Sequence, residues 1–113
     1  MTVNEFLQRY RAVKGGTNEI RPRVKCADGY TVSVQAGFGL YSIPRDDADA
    51  YTAVELGYPS EIDRELMPWY DGSIFAYVPV EIVDRVFTKH GGIVGADPSN
   101  NCGKMWKEDG KDV

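Results

Sequence analysis

Between Val3 and Val13 the large apolar residues Val3, Phe6, Leu7, Tyr10 and Val13 recur at helical spacing. Thr2 and Glu5 form a capping-box pair at the start of that run. Arg9, Arg11 and Lys14 suit its later turns, and Gly15-Gly16 end it. The pattern predicts a helix over 3–14. The period then changes to two. Ile20, Pro22, Val24 and Cys26 alternate with Arg21, Arg23 and Lys25. Asp28-Gly29 marks a turn, after which Tyr30, Val32, Val34 and Ala36 alternate with Thr31, Ser33 and Gln35. Residues 20–36 therefore predict a β-hairpin, with the basic trio on its exposed face or at its end nearest the first helix. Pro22 has no N–H to give a ladder, so the first strand is an edge strand or has an irregular lead-in.

Glycine and proline punctuate the middle of the chain. Residues 37–43 are expected to continue the strand after a bulge. Residues 44–50 read as a polar loop, and 51–58 as a third strand with Thr52, Val54 and Leu56 on one side. Pro59-Ser60-Glu61 has the form of a helix start, with Ser60 as cap and Pro68 as the stop, so residues 59–71 read as a short helix or a closed loop. Asp71-Gly72 is a turn, and 73–78 a fourth strand. Pro79 suits the first turn of a helix carrying Ile82, Val83, Val86, Phe87 and His90 on one face, closed by Gly91-Gly92. From Asp97 the chain is polar, with Met105 and Trp106 its only large apolar residues. The order implies a two-layer α+β domain over 1–96, an antiparallel sheet of about four strands with two helices on one face, and a polar tail over 97–113.

Composition agrees with one folded domain: 113 residues, 42% hydrophobic and 27% charged. No stretch approaches the roughly 20 apolar residues of a membrane span, and the start carries no signal-peptide pattern. With only two cysteines, a reducing cytoplasm is the expected setting. The net charge of -4 argues against general nucleic-acid binding. That charge is segregated. Residues 1–45 hold seven basic groups against three acidic, residues 46–71 hold eight acidic against Arg64 alone, and residues 72–113 hold six acidic against five basic.

Catalytic chemistry finds little footing. His90 is the only histidine and falls in the last turn of a predicted helix, where it can bond terminal carbonyls. Cys26 is expected to be a small core residue, and Cys102 lies in the tail. The cysteine and histidine spacing fits no structural zinc site, and Asp46-Asp47-Ala48-Asp49 lacks the glycine and terminal Glu of an EF-hand loop. Gly37-Phe38-Gly39 is no phosphate loop. The expectation is a protein that is not an enzyme and uses no cofactor.

Two surfaces are candidates for binding. Asp46, Asp47, Asp49, Glu55, Glu61, Asp63 and Glu65 interleave with Tyr51, Tyr58, Trp69 and Tyr70, which suits an anchor-and-rim surface for a basic protein partner. Arg21, Arg23 and Lys25 suit a phosphate-bearing small molecule.

The stretches NEFLQRYRAVKGGTNEIRPRVKCADGYTVSVQAG, residues 4–37, and YVPVEIVDRVFTKHGGIVG, residues 77–95, resemble small, mostly uncharacterised proteins of tailed phages and prophages of gut Firmicutes. The resemblance covers about half of the chain and brings no catalytic motif with it. It implies an anti-CRISPR-like or other anti-defence inhibitor acting in the host cytoplasm. Such a protein binds a bacterial defence protein, such as a Cas effector, stoichiometrically through the acidic, aromatic segment, as a monomer or small homo-oligomer without touching nucleic acid. The alternative is a sponge for a nucleotide immune signal, using the basic hairpin face.

Overall fold

The computed structural model describes residues 1–11 and 21–97. The predicted helix end at 12–16, Ile20, and the tail beyond 97 with Cys102 and Trp106 lie outside the described residues. The elements are helix α1 (Val3–Arg9), strands β1 (Arg23–Cys26), β2 (Thr31–Gln35) and β3 (Ala53–Gly57), a 3₁₀ helix (Arg64–Trp69), β4 (Phe75–Pro79), α2 (Val80–Lys89) and β5 (Ile93–Asp97). The strands form one sheet in the order β4-β3-β2-β1-β5, antiparallel throughout. The fold is α+β, with five strands where about four were expected. The added strand is β5, whose Ile93-Val94-Gly95-Ala96-Asp97 shows no clean alternation.

Alternation places Val24, Cys26, Val32, Val34, Val54 and Leu56 in the core with Phe75 and Val78 of β4. Val3, Phe6 and Leu7 of α1 and Val83, Val86 and Phe87 of α2 fill the same core. The Val3 amide donates to Asp84 Oδ1 at 2.7 Å, which ties the start of α1 to the middle of α2. The capping box is present, Thr2 Oγ1 accepting from the Glu5 amide and Glu5 from the Thr2 amide. Asn4 exchanges two hydrogen bonds with the Tyr51 backbone, at 3.0 and 2.9 Å, in the manner of a strand pair.

Several local expectations need correction. α1 ends at Arg9, because the Arg21 guanidinium takes the Leu7 carbonyl and Arg11 turns to the 47–49 loop. β1 is interior, flanked by β2 and β5, and Pro22 merely precedes it. Residues 37–43 are turns with one bridge, Ile43 to Ala53, and Thr52 is exposed rather than facing in with Val54 and Leu56. Ser60 caps no helix, since its Oγ accepts from the Thr31 amide. The helical turn starts instead after Asp63, as a 3₁₀ helix that contains Pro68. β4 is bulged opposite Val54 and Leu56, and Tyr77 in the bulge has φ of 55°.

Candidate functional site

Residues 58–71 form an arm between β3 and β4 that is fixed at both ends and in the middle. At its start the Tyr58 carbonyl accepts from Arg23 Nη2, and Ser60 pairs with Thr31 through two hydrogen bonds of 2.8 and 2.9 Å. At its end Tyr70 bridges to Phe75, and the Asp71 carboxylate accepts the amides of Ser73 and Ile74 at 3.0 and 2.9 Å. In the middle Asp63 and Leu66 are buried. Between these anchors the arm exposes Tyr58 (70%), Ile62 (78%), Met67 (44%) and Tyr70 (45%).

The middle anchor is ionic. The His90 ring lies between two carboxylates, with Nδ1 2.6 Å from Asp28 Oδ2 and Nε2 3.1 Å from Asp63 Oδ2. An ionised carboxylate only accepts, so a ring bonded to both carries a proton on each nitrogen and is an imidazolium. Burial disfavours that charge, but the bonds to Asp28 and Asp63 outweigh it and raise the His90 pKa. Burial likewise opposes ionisation of Asp63, and Lys89 and His90 together pull its pKa below the usual carboxylate value. Asp28 is lowered by its bonds to His90 and the Tyr30 amide. Lys89 Nζ reaches Asp63 and Glu65, each at 2.6 Å. The Tyr30 ring stacks flat on His90, centroids 3.9 Å apart.

This group is suited to holding structure. Both His90 nitrogens are engaged, and burial with the Asp28 and Asp63 charges pushes the Cys26 thiol up to about 11, away from the thiolate form. The expectation that His90 bonds carbonyls at the helix end is corrected. It does follow the last helical residue of α2, but its ring goes to side chains 62 and 27 positions away.

The remaining candidate residues are spread over different parts of the molecule. Arg11 binds Asp47 through Nε and Nη2 at 3.1 and 2.8 Å and Asp49 at 2.9 Å, pinning the acidic loop to the end of α1. Asp46 is exposed and accepts from the Asp47 amide. Glu55 accepts from the Tyr41 amide. Glu61 comes within 3.8 Å of His90 Nε2. Trp69 is half-buried against the core. Tyr51 and Asp63, expected at a partner surface, are buried: the Tyr51 backbone is tied to Asn4 of α1, and its hydroxyl accepts from the Ala48 amide at 3.0 Å.

The basic trio does not form one face. Arg21 is 2% exposed, with Nε donating to Leu7 O and Nη1 to Ala36 O. Arg23 is half-buried against Thr31 and Tyr58, and only Lys25 is exposed. A helix end with open carbonyls beside a strand lead-in draws a cation inward, which strand alternation cannot register.

Sequence reasoning missed Ile62 and Met67 on the arm and Asp28 and Lys89 beneath it. The expected helix would have turned part of the arm inward, and ion pairs distant in sequence leave no local pattern. Among the described residues no cluster suited to a metal ion occurs, and no helix is long and apolar enough to cross a membrane. No family model, no curated protein and no solved structure matches this chain.

Proposed function

We propose that the protein is a non-catalytic inhibitor that captures a basic surface of another protein through the arm 58–71. The observation that carries this reading is the set of four exposed large apolar side chains, Tyr58, Ile62, Met67 and Tyr70, on a segment held by buried anchors. Pre-ordering lowers the entropic cost of binding, and apolar anchors ringed by charge are the usual anatomy of an interface. Glu61, Glu65 and Asp71 lie among these anchors and favour a partner rich in Arg and Lys. A phage-encoded inhibitor of a bacterial immune effector, acting in the host cytoplasm, fits both this surface and the resemblance of residues 4–37 and 77–95. The burial of Arg21 favours this reading over the nucleotide-sponge alternative.

A phage-protection assay in a host with active immunity tests the reading. Tyr58→Ala combined with Ile62→Asp should abolish inhibition while leaving the melting curve unchanged, and Lys25→Glu should retain it. Full inhibition by the arm variant would overturn the proposal.

A further inference from the structure

We propose that the Asp28–His90–Asp63 bridge is a proton-operated latch for the arm 58–71. The proposal rests on the reading of that arm as the binding surface and adds its regulation.

The geometry sets the latch. Asp63 is the arm's buried polar anchor, and it is held from the α2 side by His90 Nε2 at 3.1 Å and by Lys89 Nζ at 2.6 Å. The same imidazole reaches the hairpin turn through Nδ1 and Asp28, at 2.6 Å. One ring therefore links three parts of the fold: the turn between β1 and β2, the end of α2, and the arm. It does so only while both nitrogens carry hydrogen. Loss of either proton leaves a lone pair facing a carboxylate, and the attraction becomes repulsion.

The groups facing the ring fix the direction. Asp28 from the turn and Asp63 and Glu61 from the arm favour the cation, and Lys89 beside it on α2 opposes it. Glu65 draws Lys89 toward the arm. Tyr30 stacks on the ring, and Tyr30 and Cys26 both have raised pKa values, so both are neutral at physiological pH. Three carboxylates outweigh one ammonium, in agreement with the raised His90 value. A raised base releases its stabilisation as pH climbs through the folded value. The latch is closed on the acid side of that value and opens on the alkaline side. Lys89 keeps Asp63 anchored after His90 is neutral, so opening loosens the arm without releasing it.

Two measurements on the full chain test the latch, neither needing the partner. Nitrogen-detected NMR of the single histidine should show both ring nitrogens protonated at about pH 6, with a titration midpoint above the ordinary value of about 6.5. Amide exchange, corrected for intrinsic rates, should rise in residues 60–66 through the same midpoint while Val32 and Val54 stay protected. The rise should be about tenfold for each pH unit between the folded and unfolded midpoints. His90→Gln should remove the pH dependence and leave the arm at its loosened level. Asp28→Asn should lower the midpoint without unfolding the protein. A neutral ring at pH 6, or arm exchange indifferent to the His90 titration, overturns the latch and leaves the binding proposal standing. A working latch with the arm variants still inhibiting overturns the binding proposal alone.

Discussion

Arg21 Nε donates to the Leu7 carbonyl oxygen at 3.0 Å, so the residue leading into β1 closes the last turn of α1. Its Nη1 reaches the Ala36 carbonyl at 2.7 Å, and its backbone exchanges two bonds with the Gln35 side chain. Burial pulls the Arg21 pKa down, and the nearby Tyr51 hydroxyl and Asp47 oppose that pull. Replacing Arg21 by Met should cost about 2–3 kcal/mol, because two buried carbonyls lose their donor. Lys25→Glu, on the exposed side of the same strand, should change stability by less than about 0.5 kcal/mol. Urea unfolding of the two variants checks both figures.

The arm separates its anchors from its exposed side chains. Leu66 is fully buried, and Leu66→Ala should cost about 3 kcal/mol through lost burial and a residual cavity. Ile62→Ala should cost less than about 0.5 kcal/mol, since that side chain faces solvent. Equal costs at the two positions in thermal unfolding would contradict this orientation of the arm.

Stability should peak at intermediate pH. The His90 pKa is raised, so its contribution is complete below the unfolded value of about 6.5 and fades as pH climbs through the folded value. Asp28 and Asp63 are lowered, so their contributions are complete above about 3.8 and fade as pH falls through their folded values. The denaturation midpoint should fall on both sides of that window, and His90→Gln should remove the alkaline decline and weaken the acid one, because His90 also lowers Asp28 and Asp63.

Asp84 behaves in the opposite sense. Burial raises its pKa, although the Val3 amide offsets part of the rise. Its charge is therefore a burden at neutral pH, while its oxygen serves as the acceptor for α1. Asp84→Asn keeps an acceptor and should be neutral within about 0.5 kcal/mol, whereas Asp84→Ala should cost about 1 kcal/mol. Chemical denaturation at neutral pH distinguishes the two.

Features governed by neighbours in the chain were readable from the residues. The Thr2–Glu5 cap, the Asp28-Gly29 hairpin and the α2 face of Val83, Val86 and Phe87 all appear as expected. Features governed by distant partners were not. Arg21 turns inward because α1 ends beside it, a fact absent from the alternation of residues 20–26. The arm stays out of an α-helix because Ser60 is committed to Thr31 and Asp63 to His90 and Lys89. β5 was hidden because Gly95 interrupts its pattern, and it forms by pairing with β1 across a register shift at Lys25 and Cys26. The acidic segment was visible as charge, but its division between Arg11 at one end and Lys89 at the other was not.

The tie between Val3 and Asp84 also orders events during synthesis. α1 has seven residues, fewer than the roughly 12 an isolated helix needs to persist in water. Its first amide is met by a carboxylate 81 positions later. α1 therefore waits until α2 has emerged, and a nascent chain halted before Asp84 should show no protected amides in residues 3–9. Residues 3–9, made long before residue 84, are in folding among the last to be used.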